Sequence, residues 1–293
     1  WSSDVCSSDL AFVSCFGQFQ FKRMPFGPVN SGATYSRFID TMVEKLRTPY
    51  ILAYVDDTIV HNPSLEEHLV SSEKAIGAHM ECGIKLKASK TILFEPIVNY
   101  LGYEVSEAGI SMRKDDVEKI LKWPIPKTSK ELRSLLGFMS YYRSFVPNYA
   151  KLAFQLNAQR MAKKFEWTKE MAAGLKSLKE EFRKNRVRAY PRWDIETPFL
   201  VTTDFSAEAI AVVISQVQEG KERFLAAGGR KCTKYEQNYP SVKGELSAVV
   251  YAFRKYEHLL RFCRFQLQTD SAALKYLKTM IGSRGIWFRW LTE

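Results

Sequence analysis

Acidic side chains at a few positions could carry chemistry in this chain. In "ILAYVDDTIV", residues 51–60, Asp56 and Asp57 stand side by side between two apolar, β-prone runs. Farther on, "FLVTTD" and "RFQLQTD" read as strands ending in Asp204 and Asp270, and "GELSAVVYAFRKYEHLL" as a long helix with Glu245 in its first turn. Adjacent like charges repel and are costly to bury, so doubled or converging acids in apolar surroundings need a reason. Divalent cations want hard oxygen ligands, and a carboxylate cluster that holds them can act on the oxygens of a phosphoryl transfer. The alternatives are ordinary ones. Asp56-Asp57 also reads as a polar hairpin turn, Asp being a good turn residue, although Asn-Gly or Asp-Gly would serve a turn better. Spacing alone leaves both readings open. Asp204 and Asp270 could cap helices that follow their strands, and an acid in a first helical turn is commonplace. A second doublet, Asp115-Asp116, opens the helical stretch "DDVEKILKW" and reads as structural, since acids suit a helix N-terminus.

The elements that would position these acids follow from periodicity. "GQFQFKRMPFG" alternates as a half-buried strand would. "NSGATYSRFIDTMVEKL" reads as a helix with Tyr35, Phe38, Ile39, Met42 and Leu46 on its apolar side, and a second helix has its apolar positions at Leu65, Leu69, Ile76 and Met80, ending near Gly83. "VNYLGYEV" reads as one more strand. Strand, helix, hairpin, helix, strand is an α+β pattern with an antiparallel sheet. From about Ser106 the chain turns helical. "TSKELRSLLGFMSYYRSFV" carries a capping-box signature in Thr128 and Glu131 and a stripe of Leu132, Leu135, Leu136, Met139 and Val146. Arg133, Tyr142 and Arg143 would lie on another face, either against a nucleic-acid backbone or simply in solvent. "KTSK" and "RMAKKFEWTKE" read as connectors, and the basic run "KEEFRKNRVRAYPRWD" leads into a third, α/β region with strands "FLVTTD", "AIAVVISQV" and "RFQLQTD" and a final helix "SAALKYLK".

The chain has 293 residues, comfortable for two or three domains; 46% are hydrophobic and 26% charged, a globular composition. A net charge of +11, with a pI near 9.3, suggests an anionic partner, nucleic acid first. Five scattered cysteines fit no zinc site and no disulfide scaffold, which points to a reducing compartment. No apolar run is long enough to span a membrane. "WSSDVCSSDL", residues 1–10, looks like a translated sequencing adapter and is set aside as non-native.

Taken in order, "FGQFQFKRMPFGPVNSGATYSRFID", "YVDD", "GIKLKASKTILF", "YLGYEVSEAGI", "ILKWPIPKTSKELRSLLGFMSYYRSFV" and "FEWTKE" resemble the polymerase of a gypsy-type LTR retroelement. "TTDFS", "KGELSAVVYAFRKYEHLL" and "QTDSAALKYL" resemble the RNase H that follows it. The resemblance covers nearly all of the chain after Leu10. It implies an α+β fold: a partial right-hand polymerase palm over 11–105, a helical thumb and connection over 106–192, and an incomplete RNase H-like α/β domain over 193–293. It implies an RNA-directed DNA polymerase joined to RNase H, with two Mg²⁺ ions per active site and Mn²⁺ as a possible substitute. The partners would be an RNA template, a DNA primer, the RNA–DNA hybrid and dNTPs, in a cytoplasmic retroelement particle or in the nucleus; the oligomeric state stays open.

Residue by residue, the resemblance assigns metal binding to Asp56 and Asp57 in the palm and to Asp204, Glu245 and Asp270 in the RNase H. Phe26 and Gly27 would line the incoming nucleotide, Asn30, Ser31 and Gly32 would begin the helix beneath it, and Lys90 would stand near the triphosphate. Tyr100, Leu101, Gly102 and Tyr103 would form the primer grip. This sequence departs from the pattern in places. Ser36 replaces a usual Gln, Phe205 a usual small residue, and "AAGGRKC" stands where a serine-arginine pair is more common. The family's first palm aspartate would lie upstream of Ala11 and its last RNase H acid beyond Glu293, so the chain reads as an internal fragment whose two active sites are each one acid short and inactive as given. A decayed, non-catalytic nucleic-acid-binding remnant and a Mg²⁺-dependent nuclease of another kind are the alternatives.

Overall fold

The computed structural model describes residues 11–21, 27–161, 164–194, 196–261 and 263–270. The chain divides into two compact units, Trp1–Glu95 and Pro96–Glu293.

In the first unit β1 (Phe12–Ser14) and β2 (Gly17–Phe19) form a short hairpin. The single half-buried strand expected from Gly17 onward is thus three residues long and fully exposed; its alternation has no apolar layer to face. Helix α1 (Ser31–Lys45) buries Ile39 and Met42. Then come β3 (Ile51–Tyr54), β4 (Asp57–Val60) and α2 (Leu65–Glu81), which starts at a Ser64 cap accepting from the Glu67 N–H. The core is small: Ile39, Met42 and Ala78, with Tyr35, Val43, Leu46, Ala53 and Ile84 against them. The expected stripe on α2 faces outward. Leu69 is 50% exposed and Met80 69%, whereas Ser71, Ala75, Ala78 and His79 are buried. Small side chains let the helix lie close to β4, and that approach outweighed the larger apolar residues.

The second unit opens with a three-stranded antiparallel sheet: β5 (Ile97–Tyr100), β6 (Tyr103–Ser106) and β7 (Gly109–Met112). The expected single strand "VNYLGYEV" is therefore broken by a two-residue turn at Leu101-Gly102, both with positive φ. The helical character sets in after β7, not at Ser106. Helices α3 (Lys114–Lys122), α4 (Ser129–Tyr141), α5 (Tyr149–Leu152), α6 (Phe154–Gln159) and α7 (Lys169–Arg183) pack around Leu132, Leu135, Leu136, Met139, Phe145 and Leu178. The α4 cap is as the sequence suggests: Thr128 Oγ1 accepts from the Glu131 N–H, and the Glu131 carboxylate accepts from the Lys127 N–H.

Next follow β8 (Phe199–Phe205), β9 (Ala209–Gln218), β10 (Lys221–Lys231), α8 (Ser241–Lys255), α9 (Glu257–Leu260) and β11 (Phe265–Gln268), with sheet order β10-β9-β8-β11. β8 is antiparallel to β9 and parallel to β11. Strand β10 escapes sequence reading because "LAAGGRK" looks like a loop. Its glycines are there for close approach. A Cβ on Gly228 would stand 2.8 Å from the Tyr256 hydroxyl, and one on Gly229 2.7 Å from the Ile210 carbonyl oxygen. Buried Gln216 and Gln218 tie the preceding segment to the sheet by donating to the carbonyls of Arg192, Thr197 and Tyr190. The stretch "SAALKYLK" lies outside the described residues.

Candidate active sites

Asp56 and Asp57 sit at the tip of the β3–β4 hairpin. Tyr54 pairs with Asp57, so the two-residue turn is Val55-Asp56 and Asp57 opens β4. The expected turn at Asp56-Asp57 is thus displaced by one residue. Val55 takes φ +56°, where a β-branched side chain is strained. Leu52 and Tyr54 are exposed beside it. The hairpin is held from behind: His79 Nδ1 lies 2.7 Å from the Ala75 carbonyl oxygen, and its Nε2 is 3.3 Å from the Thr58 hydroxyl. The carbonyl requires the proton on Nδ1, which leaves Nε2 to accept from Thr58. Both aspartates are exposed, and no lysine or arginine pairs with either among the described residues. Two unpartnered hard oxygen donors on one stiff turn suit a divalent cation. Gly27, at φ +109°, and Lys90, in a 3-10 turn at Ala88–Lys90, are both exposed and share no hydrogen bond or ion pair with the aspartates among the described residues. Phe26 lies outside the described residues.

The Tyr100–Tyr103 stretch forms the β5–β6 turn, and helix α4 grips it. Tyr141 donates to the Leu101 carbonyl at 2.6 Å. The Tyr142 hydroxyl is 2.9 Å from the Gly102 carbonyl and 2.7 Å from Asp116 Oδ2, its single proton shared between two acceptors. Tyr103 stacks on Tyr141 with ring centroids 5.2 Å apart. Tyr142, read from the sequence onto another face with Arg133 and Arg143, is only 2% exposed: three residues after Met139 and four before Val146, it falls on the same side as the buried stripe. Burial works to raise the Asp116 carboxyl, but hydrogen bonds from Lys119 and Tyr142 outweigh it and hold it below the usual carboxylate range. Asp116 is therefore structural.

The third group converges. In the parallel β8–β11 pair Thr202 is level with Gln268, and Asp204 and Asp270 each follow two residues farther along the chain. Helix α8 begins at Ser241, which puts Glu245 one turn inside the helix, beyond its first turn. There it faces β8 and is 4% exposed. Burial, then the charges of Asp270 and Asp204, push its carboxyl up to about 7, partly offset by the Phe205 N–H that its carboxylate accepts; a hydrogen bond also joins it to Asp270. Glu245 Oε2 is buried with no partner of its own. Among the described residues no three His, Cys, Asp or Glu side chains stand ready as a ligand set. An orphaned buried oxygen and three acids that repel one another still fit a divalent cation, which would relieve both. Sequence reasoning found these acids but missed Phe205 and Gly244, which pack where β8 meets α8; the departure at Phe205 was the available signal.

A strand hairpin is thus tipped with two acids, and a mixed sheet brings two acids near its strand ends beside a third on the helix that crosses it. The family description "Reverse transcriptase (RNA-dependent DNA polymerase)" matches residues 6–105, and "RNase H-like domain found in reverse transcriptase" matches residues 194–293. The Pol polyprotein from transposon 297 of Drosophila melanogaster is 31% identical over 275 residues, covering 93% of this chain and 25% of that protein. The transposon Tf2-3 polyprotein of Schizosaccharomyces pombe is 27% identical over 268 residues, covering 89% and 20%. A foamy viral protease-reverse transcriptase solved in complex with double-stranded DNA shares the fold, with a TM-score of 0.79 at 23% identity over 97% of this chain and 50% of that one. A foamy viral protease-reverse transcriptase solved in complex with an RNA/DNA hybrid gives 0.76 at 24%, over 97% and 39%. This chain belongs to the reverse transcriptase–RNase H family of retroelement Pol polyproteins. It spans about a quarter of the length of the curated relatives it matches.

Proposed function

We propose that this chain supplies part of the polymerase palm, the thumb and connection, and the RNase H of an RNA-directed DNA polymerase, over residues 11–105, 106–192 and 193–293. It would copy retroelement RNA into DNA and remove the RNA strand of the resulting hybrid, within a cytoplasmic retroelement particle or in the nucleus. The observation that carries this reading is the convergence of Asp204, Glu245 and Asp270 from three separate elements, with Glu245 buried and one oxygen unmatched. Side chains selected for stability alone would not be gathered so. Asp204, Glu245 and Asp270 would hold two Mg²⁺ ions in the RNase H, as Asp56 and Asp57 would in the palm. Bound there, the cations supply charge neutralisation and polarisation at phosphate oxygens. The protein's own part is to fix the donors. His79 and Thr58 hold the β3–β4 hairpin, and the Phe205 N–H orients Glu245. Tyr141 and Tyr142 fix the Leu101-Gly102 turn, which as primer grip would face the primer strand. Phe26, Gly27 and Lys90 would contact the incoming dNTP. A net charge of +11 supports backbone contact with template, primer and hybrid.

The test uses the full-length protein. Asp57→Asn should abolish Mg²⁺-dependent primer extension, and Glu245→Gln should abolish cleavage of the RNA strand. Both should leave hybrid affinity nearly intact and falling log-linearly with salt, because backbone contacts carry binding. Wild-type extension by Asp57→Asn would return the β3–β4 tip to the role of a polar turn.

A further inference from the structure

The departure at Phe205 has a structural counterpart one residue before Glu245. A Cβ built on Gly244 would stand 2.1 Å from Phe205 Cε1, 2.2 Å from Cδ1 and 2.5 Å from Cζ. The aromatic ring therefore occupies the space that any side chain at 244 would need. It also rests on the buried cluster of Ile210, Cys232 and Ala248, the last lying one helical turn beyond Gly244 on the same face of α8. Phe205 thus meets the helix twice, through its ring at Gly244 and through its backbone N–H at the Glu245 carboxylate. Its neighbour Asp204 lies at the end of the same strand. The loop beyond is pinned as well: the Cys232 thiol donates to the Ser206 carbonyl at 3.3 Å, and Ser206 Oγ contacts both the N–H and the carbonyl of Ala209. The strand cannot slide along the helix without moving the ring off the only kind of residue that admits it.

We propose that Phe205 and Gly244 act as an interlocked pair of positioning residues, a large ring seated in the gap of a glycine, that sets the spacing of Asp204 against Glu245 for a divalent cation. The proposal rests on the RNase H reading of the three acids. Neither residue touches the reacting atoms; both act through the carboxylate beside them. The interlock has a directional consequence. Replacing Gly by Ala inside a helix ordinarily stabilises it, but here a methyl group would collide with the ring and push β8 from α8. Shortening Phe205 would remove the obstacle, so the two substitutions should compensate in a double-mutant cycle.

The experiment measures Mg²⁺ and Mn²⁺ binding by calorimetry, and the thermal midpoint, on this 293-residue chain without nucleic acid. Gly244→Ala should weaken metal binding by about tenfold or more, the scale for disturbing a residue that orients a metal ligand, and lower the midpoint. Adding Phe205→Ala should bring the double variant back to the affinity of Phe205→Ala alone. Gly137→Ala, in a helix with nothing near the added methyl, should not change metal affinity. If Gly244→Ala fails to fold, the double variant decides: recovery of fold and affinity supports the interlock, and a double variant equally unfolded overturns it. Strictly additive effects, or wild-type affinity in Gly244→Ala, would also overturn it. Asp204→Asn and Glu245→Gln separate the two levels of argument. If they weaken metal binding and Gly244→Ala does not, the interlock fails while the site stands. If they leave metal binding unchanged, the site reading fails and takes the interlock with it.

Discussion

Glu245 is a buried carboxyl pushed strongly upward by burial and by its acidic neighbours, and its protonation should be visible in stability. Its carboxyl is pushed up to about 7 in the fold, against 4.5 for an unperturbed glutamate. Below about pH 4.5 both folded and unfolded chains hold the proton and folding bears no penalty. As pH rises toward 7 the unfolded chain gives the proton up while the folded chain keeps it, so stability falls and then levels off. The loss is on the order of 3 kcal/mol. Melts of the metal-free chain between pH 4 and 8 should show this decline, and Glu245→Gln should flatten it. A wild-type profile that is already flat in this window would remove the electrostatic case for the cluster. Tyr142 offers a second measurement. Its hydroxyl is the shared donor to Gly102 and Asp116, so Tyr142→Phe should cost about 1–3 kcal/mol in urea unfolding, the price of leaving buried acceptors short of a donor.

The two turns that present functional residues differ in how they are made. Leu101-Gly102 is held by tyrosines at the end of α4, whereas among the described residues the hydrogen bonds behind Val55-Asp56 come from its own strands and from His79. Val55 at φ +56° is the costlier of the two conformations, and strain kept at a tip bearing two acids is consistent with selection for placement rather than stability. Asn tolerates the left-handed region well. Val55→Asn should therefore stabilise the hairpin by about 1 kcal/mol, read as slower amide exchange at Ile51–Val60. Faster exchange in the variant would show that the valine side chain contributes more by packing than its backbone loses.

The two compact units are unequal. Sixteen buried residues, Met112 to Phe182, make up the main cluster of the second unit, with further clusters around Val201, Val212 and Tyr256. Among the described residues the main cluster of the first unit gathers three. A two-stranded ribbon with one exposed apolar face is only marginally stable alone, and little buried apolar area means low local opening energies. Hydrogen exchange should accordingly proceed through β3, β4 and α2 well before β8, β9 and α4 open. Equal protection across both would mean that the exposed apolar face of α2, with Leu69, Ile76 and Met80, is covered in solution. Among the described residues no helix is long and apolar enough to cross a membrane.

Local chemistry wrote much of this protein in plain view. Thr128 with Glu131 announced the start of α4, the apolar runs "FLVTTD" and "AIAVVISQV" announced β8 and β9, and the acids of "YVDD", "TTDFS" and "QTD" stood out because carboxylates in apolar runs are costly without a purpose. Other features depend on what lies across space. Periodicity could not say which face of α2 would be buried, because close approach to β4 favoured Ala75 and Ala78 over Leu69 and Met80. It could not see β10, whose glycines answer to Tyr256 and Ile210 rather than to strand propensity. Helical spacing from Leu135 and Met139 does put Tyr142 on the buried stripe, and its polar hydroxyl made an outer face look plausible; only the packed structure reveals Asp116 and the Gly102 carbonyl as the acceptors that let it be buried. Asp204, Glu245 and Asp270 were legible one at a time as acids. Their convergence, and the ring of Phe205 filling the gap at Gly244 beside them, came from strand register and helix crossing, which are properties of contacts between residues far apart in the chain.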